Sequence, residues 1–561
     1  MNIEADQVMP PGRGRASNPL PPTLSVQSLT IGLPEGSDRS HAVQGVSFEL
    51  VRGRTLCVVG ESGSGKSVMA SAVIGLQARE LRMEKGSISL NGEDLMRASP
   101  ERWRALRGAS IGMVFQEPMT ALNPVMRCGD QIDELLRCHT TWTKAVRRAR
   151  IVKVLAEVQL ADPERIANSY PHQLSGGQRQ RIVIAMAIIL APPLLICDEP
   201  TTALDVTTQA EILRLLQALR ERQGMAVLFI THDMGVVAQI ADDVLVMNQG
   251  QVIESGPRDQ VLYHPAQAYT KQLLAAVPSM DPPPPRPAAQ GPVLLGGTGL
   301  GKAYVRHRIF GPPEKTVALH DAALGLQRGE TVGIIGESGS GKSTLARCLM
   351  RLIEPSCGEI RWNGKSVEGL SEHKLRPLRR SVQVVFQDPN RSLNPRLRVG
   401  ESMIEGAMNL VGLSREQAWA QAEKLMDKVR LPRQCLYRYP REFSGGQRQR
   451  LAIARALACR PDVLIADEAV SALDVSVQAQ ILVLLRELQD ELGLGILFIT
   501  HDLRVAAQLC DRAIVMHKGQ IVEAERTADL YANPQHPYTR KLFSAAPVLH
   551  RAAAPSMESS K

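Results

Sequence analysis

The sequence predicts an α/β chain made of two tandem copies of one domain, each a mostly parallel sheet covered on both faces by helices. Two observations carry this. Gly-Glu-Ser-Gly-Ser-Gly-Lys-Ser stands at Gly60–Ser67 and again at Gly336–Ser343. Each copy is followed by Phe-Gln, Ser-Gly-Gly-Gln, an apolar run ending in Asp-Glu, a Leu-Asp and a Thr-His-Asp. The copies are offset by 276 residues at the first motif, 271 at the glutamine and 269 from Ser-Gly-Gly-Gln onward. An ordered set repeated in register is an internal duplication. The second observation is that wholly apolar short runs alternate with helical stretches, as strands buried on both faces require.

The elements follow in order. Residues 1–23 and the tail from about Arg551 are poor in apolar residues and read as disordered, with 550–561 as the tail. Thr55–Val59 and Thr331–Ile335 are apolar runs leading straight into the glycine loops, so each is a strand feeding a loop and then a helix. Leu194–Cys197, Val463–Ala466, Ala226–Ile230 and Ile496–Ile499 read as further buried strands. Ile151, Val154, Leu155 and Val158 fall at helical spacing, as do Ala422, Leu425, Met426 and Val429, and both stripes read as packing faces. Arg179–Leu190 and Arg448–Cys459 read as helices. The longest apolar run, Ile182–Cys197, is broken by Pro192 and Pro193, so it reads as helix, turn and strand and is too short to span a bilayer.

Between the halves lies Asp281-Pro-Pro-Pro-Pro-Arg-Pro-Ala-Ala-Gln-Gly-Pro292. At roughly 3 Å per residue in polyproline geometry, it reads as a semi-rigid tether spanning about 35 Å. The expected division is therefore 24–280, a linker over 281–295, and 296–549.

Composition bounds the rest. An apolar fraction of 44% and a charged fraction of 22% are those of a soluble globular chain. Nine cysteines are scattered without metal-ligand spacing, which reads as small hydrophobes in a reducing compartment. A net charge of +9 permits attraction to nucleic acid or to an anionic membrane face and does not choose between them.

The chemistry lies in the repeated motifs. Glycine loops let several backbone N–H groups point at one phosphate, helped by the positive end of the following helix. In the first copy the cradle is Gly60, Glu61, Ser62, Gly63, Ser64, Gly65, Lys66 and Ser67; in the second it is Gly336, Glu337, Ser338, Gly339, Ser340, Gly341, Lys342 and Ser343. Lys66 and Lys342 add charge at the β/γ-phosphates, while Ser67 and Ser343 offer hydroxyls to Mg²⁺. Asp198 and Asp467 end apolar strands and aim a carboxylate at a cation. Next to them, Glu199 and Glu468 are placed to take a proton from, or orient, an attacking water. His232 and His501 each follow a buried strand and point to a hydrogen bond with the γ-phosphate. An amide such as Gln116 or Gln387 can touch Mg²⁺ or water. Ser175, Gly176, Gly177 and Gln178, with Ser444, Gly445, Gly446 and Gln447, form a second kind of anion cradle at a helix start. Two phosphate-binding helix ends per copy exceed what one nucleotide needs locally. The economical arrangement is a head-to-tail pair, each ATP held by one half and capped by the other.

These motifs resemble the Walker A, Q-loop, signature, Walker B, D-loop and H-switch of ABC-transporter ATPases, over about residues 24–549. The resemblance implies tandem P-loop NTPase domains, each with a RecA-like core, a helical subdomain and an antiparallel edge. It also implies ATP and Mg²⁺ as ligands. Site one would use Lys66, Ser67, Gln116, Asp198, Glu199 and His232 with Ser444–Gln447 in trans. Site two would use Lys342, Ser343, Gln387, Asp467, Glu468 and His501 with Ser175–Gln178. With both glutamates present, two competent sites are expected.

Narrower features resemble the dipeptide, oligopeptide and glutathione importers, in the version that fuses both ATPases. These are Phe115–Pro124 and Phe386–Pro395, the tails His264–Pro278 and Asn533–Pro547, and Ala469 where a proline is usual. That implies two transmembrane permease subunits and, through them, a periplasmic solute-binding protein. It also implies a peripheral place on the cytoplasmic face of the bacterial inner membrane and no nucleic acid. The rival is a soluble tandem ABC ATPase acting on the ribosome or nucleic acid, which usually carries a long charged linker or cysteine-rich metal modules that this chain lacks. The family usually stacks adenine on an aromatic shortly before the glycine loop; here those places hold Ser37 and Pro313, with Tyr304 and Phe310 nearby in the second half.

Overall fold

The computed structural model describes residues 21–116, 118–202, 204–306, 314–471, 473–547 and 549. The stretches 1–20 and 550–561, expected to be disordered, lie outside the described residues, as do Phe310 and Pro313. Residues 21–23 belong to the fold instead: Thr23 is buried and its N–H donates to the Leu50 carbonyl at 2.9 Å.

Each half carries one six-stranded and one four-stranded sheet. In the first half the larger sheet runs Gln251–Pro257, Asp243–Asn248, Thr55–Val59, Ala226–Ile230, Leu194–Asp198, Ile111–Val114. Only the Gln251–Pro257 edge pairs antiparallel; the other ladders are parallel. The second half repeats this order with Gln520–Arg526, Arg512–His517, Thr331–Ile335, Gly495–Ile499, Val463–Asp467 and Val382–Val385. All five residues of Thr55–Val59, Ala226–Ile230 and Gly495–Ile499 are buried. Burial on both faces is why these runs are unbroken apolar rather than alternating.

The smaller sheet is antiparallel: His41–Leu50, Leu24–Gly32, Arg82–Leu90 and Glu93–Asp94, matched by Glu314–Gln327, Val293–Arg306, Cys357–Trp362 and Lys365–Ser366. One core cluster fills the space between the sheets, and another packs the large sheet against helices. The stripe residues Ile151, Val154, Leu155 and Val158 are all buried, beside the helix Gly176–Ile188.

Parallel pairing sets the C-terminal ends of neighbouring strands at one edge, where ligands of α/β sheets gather. Gly60, Glu199 and Thr231 follow three adjacent strands there.

Reciprocal packing joins the halves. Val206 of the first half belongs to the second half's core, and Val475 of the second half to the first half's core; they are 6% and 8% exposed. Burying each valine stabilises the seam by about 1.5–3 kcal/mol. Leu549 also packs on the first half's core.

The linker lies against the second half rather than hanging free. Gln508 Nε2 donates to the Ser279 and Asp281 carbonyls at 3.0 and 2.8 Å, and Arg286 Nη1 donates to Gln489 Oε1 at 2.9 Å. The strand Val293–Arg306 begins inside the stretch expected to be linker, because Val293 pairs with Gln327. Among the described residues no helix is long and apolar enough to cross a membrane.

Candidate active site

The two glycine loops have the same geometry. Gly65 has φ 100°, and a Cβ there would lie 2.3 Å from the Ala42 carbonyl oxygen, so both conformation and space demand glycine. Lys66 heads the helix Lys66–Val73, and its ammonium donates to the Gly60 and Glu61 carbonyls at 2.7 and 2.8 Å. Lys342 does the same to Gly336 and Glu337, at 2.7 and 2.8 Å. Burial pushes both amines below the ordinary lysine range, while nearby carboxylates, Glu199 first for Lys66 and Glu468 first for Lys342, oppose the shift.

Ser67 Oγ donates to Asp198 Oδ1 at 3.1 Å, so the structure brings together the two oxygen ligands expected of a divalent cation. Burial raises the Asp198 carboxyl above its ordinary range despite the Ser67 hydrogen bond, and burial raises Asp467 likewise. Among the described residues no group of three or more His, Cys, Asp and Glu could hold a metal alone. Hard oxygen donors from one carboxylate and one hydroxyl nevertheless fit Mg²⁺, which takes its remaining ligands from phosphates and water.

Glu199 and Glu468 sit where the strand breaks into a turn, with φ of 47° and 50°. Left-handed backbone at a residue with a Cβ costs about 1–3 kcal/mol and clusters at functional sites. Three side chains converge on Glu199. His232 Nδ1 lies 3.3 Å from Oε1, and Gln116 Nε2 and Thr202 Oγ1 donate to Oε2 at 2.9 and 3.0 Å. Burial opposes the charge on Glu199, but the hydrogen bonds and attraction of His232, with Thr202 and Lys66, outweigh it and hold the carboxyl at about 2. Burial lowers and Glu199 raises the His232 imidazolium, with the net shift upward. Glu468 is lowered in the same manner, burial again opposed by His501, whose Nδ1 stands 3.5 Å from Oε1. Each glutamate is therefore an ionised acceptor at neutral pH. The histidines, expected to reach phosphate, here engage the glutamates.

The helices that Ser-Gly-Gly-Gln opens begin at Gly176 and Gly445, ahead of the ranges expected from Arg179 and Arg448. Ser175 and Ser444 are their N-caps in capping boxes: Gln447 N–H donates to Ser444 Oγ at 3.3 Å and Ser444 N–H to Gln447 Oε1 at 3.0 Å. Both serines are exposed, and the first-turn N–H groups after them have no intrahelical acceptor.

Across the seam, each half touches the other's glycine loop. Ser62 N–H donates to Asp474 Oδ1 at 2.7 Å, and Ser476 Oγ bonds Glu61 Oε1. Reciprocally, Thr207 Oγ1 donates to Glu337 Oε1 at 2.5 Å. The signature glycines pack on the residues next in the chain to Ser476 and Thr207. A Cβ on Gly446 would lie 2.3 Å from Val477 Cγ1, and one on Gly177 would lie 2.6 Å from Thr208 Cγ2. The seams are not equal. Asp205 caps its own helix by accepting from Thr208 N–H at 2.9 Å, whereas Asp474 makes no cap and reaches the opposite loop.

Sequence reasoning gave no role to two tyrosines. Glu337 N–H donates to Tyr538 Oη at 3.1 Å and Glu61 N–H to Tyr269 Oη at 3.4 Å, so each C-terminal extension folds back onto its own glycine loop. Burial pushes both hydroxyls up to about 12, which keeps them neutral. The Tyr-Thr pair at matching places in the two tails was the available signal. Tyr538→Phe should weaken nucleotide binding by roughly fivefold, the worth of about 1 kcal/mol. Equilibrium titration with ADP checks this, and an unchanged affinity would show the hydroxyl to be dispensable.

Comparison with known proteins agrees with this geometry. The ABC transporter family model matches residues 43–202 and 319–471. A second, described as the oligopeptide/dipeptide transporter C-terminal region, matches 253–302 and 522–560. Similar proteins include the glutathione import ATP-binding protein GsiA of Salmonella paratyphi A, 46% identical over 94% of this chain and 89% of that one. The protein of that name from Escherichia coli (strain K12) is 45% identical over the same shares of the two chains. With the family's motifs present twice and its model matched in both halves, this chain belongs to the ABC transporter family, as an ATP-binding ATPase of that family.

Proposed function

We propose that this chain is the ATP-hydrolysing subunit of a bacterial importer of the peptide class, two copies of the ATPase domain fused about the 281–295 stretch. The reciprocal seam carries the reading: the helix start after the catalytic strand of each half touches the other half's glycine loop, at Ser62–Asp474 and Thr207–Glu337. ATP bound by Lys66 would complete its pocket with Ser444–Gln447, and ATP bound by Lys342 with Ser175–Gln178. Mg²⁺, held by Ser67 and Asp198 or by Ser343 and Asp467, would neutralise charge on the phosphates. Glu199 and Glu468 orient and deprotonate the attacking water; His232 and His501 position them, and Gln116 fixes the second Glu199 oxygen.

Closing and opening of the seam would drive permease subunits on the cytoplasmic face of the inner membrane. Exposed apolar side chains beside the glutamines, Phe115 at 44% and Phe386 at 41%, offer contact surface for such partners. The peptide class rests on the match of both C-terminal extensions, and glutathione is the first solute to test because the similar proteins are named for importing it. Deleting the chain from its host should abolish uptake of labelled glutathione or dipeptide, with the unaltered chain restoring it. Uptake that is unchanged for both solutes would transfer the ATPase to another cargo.

A further inference from the structure

Beyond the two catalytic constellations, one side chain joins them. Arg504 lies in the seam, 13% exposed, between carboxylates that are 16% and 20% exposed. Its Nη1 and Nη2 donate to Asp233 Oδ1 and Oδ2 of the opposite half at 2.7 and 3.0 Å. Its Nη2 and Nε donate to Asp502 Oδ2 and Oδ1 of its own half at 3.0 and 3.1 Å. A planar guanidinium suits this double fork, which lysine cannot reproduce.

The two carboxylates are not incidental. Asp233 follows His232 and Asp502 follows His501 in the chain. The contacts therefore run unbroken from Glu199 through His232 and Asp233 to Arg504, then through Asp502 and His501 to Glu468. Each aspartate is also tied to the backbone of its turn: Gly235 N–H donates to Asp233 Oδ1 and Arg504 N–H to Asp502 Oδ1, both at 2.9 Å. A shift of either histidine turn must move the guanidinium or break its fork.

Among the described residues the bridge is single, although the chain is a duplication. At the 269-residue offset the counterpart of Arg504 is Gly235. A Cβ there would fall 2.6 Å from the Pro547 carbonyl oxygen, so the second half's own tail fills the place where a reciprocal arginine would stand.

We propose that Arg504 is a positioning residue that couples the two ATP sites, transmitting the state of the turn after one catalytic strand to the turn of the other site. The proposal rests on the two-site ATPase reading given above. A contiguous chain of packed, charged groups with a shared element is the physical form such coupling takes. The hydrogen bonds of the Arg504 side chain go to Asp233 and Asp502 and to neither a glycine loop nor a turn glutamate, so its loss should alter how the sites depend on one another more than the chemistry at either.

The test is a double-mutant cycle on the full chain, read as steady-state Mg-ATP hydrolysis. With the bridge intact, Glu199→Gln should stall both sites and lower total turnover roughly tenfold or more, within the usual range of allosteric coupling. In Arg504→Gln, adding Glu199→Gln should lower turnover only about twofold, because the second site then runs alone. Folding losses common to both Arg504→Gln proteins cancel in the ratio. Should Arg504→Gln fail to fold, Asp233→Asn carries the same cycle, since its amide oxygen keeps the Gly235 cap while the bridge loses a charge. An equal factor for Glu199→Gln in both backgrounds overturns the coupling role and leaves the ATPase reading standing. Absence of hydrolysis in the unaltered chain would take down both.

Discussion

Replacing both turn glutamates, Glu199→Gln with Glu468→Gln, is expected to lower ATP turnover by at least about a hundredfold while leaving nucleotide bound. The geometry separates the two effects. Each glutamate stands at a strained turn, φ 47° and 50°, with its carboxylate gathered by a histidine. Glutamine keeps the size and some of the hydrogen bonds but not the charge that accepts a proton. In the proposed reading phosphate is bound by other atoms, the loop N–H groups and the ammoniums of Lys66 and Lys342, which the substitutions leave alone. Steady-state hydrolysis and retention of labelled ATP after gel filtration measure the two quantities. Robust hydrolysis by the double variant would remove the glutamates from the chemistry, and loss of retained nucleotide would show that they serve binding instead.

Lys66→Ala with Lys342→Ala should show the opposite pattern, ATP affinity falling roughly ten- to a hundredfold. A charge-assisted contact is worth about 1.5–3 kcal/mol, and each 1.4 kcal/mol is about tenfold in binding. Both amines are buried, and each is held by two loop carbonyls within 2.8 Å. Alanine would remove the cation and leave those carbonyls without their donor, so some loop rearrangement adds to the loss. Titration with ATP in the glutamine background, where nucleotide is not consumed, isolates affinity. An affinity within about twofold of the parent would mean the backbone cradle alone supplies the binding.

Local chemistry made much of the fold legible in the sequence. Thr55–Val59, Thr331–Ile335 and Ala226–Ile230 were bounded correctly because fully buried strands need unbroken apolar runs, and loops or turns end them abruptly. The glycine loops, the strand-end carboxylates and the helical stripes were legible for the same reason. Each is a short segment whose backbone conformation selects its residues. Ser-Gly-Gly was legible as the opening of a helix, but the ranges from Arg179 and Arg448 left out the first turn, since the glycines and glutamine after each serine cap are already helical.

What the sequence alone determined is the inventory: a duplicated α/β chain, two glycine loops, two strand-end Asp-Glu pairs and two helices headed by Ser-Gly-Gly-Gln. The tertiary structure decided how the copies meet. It placed Asp474 on the opposite loop while Asp205 caps its own helix, turned Tyr269 and Tyr538 onto their glycine loops, and put Arg504 between Asp233 and Asp502. The contacts between the halves join residues hundreds of positions apart, 271 for Arg504 and Asp233 and 412 for Ser62 and Asp474. No local period or propensity encodes them. They arise only when both halves have folded and bury Val206 and Val475 in each other's cores, and the copies then differ where Asp474 and Arg504 make contacts that their counterparts Asp205 and Gly235 do not.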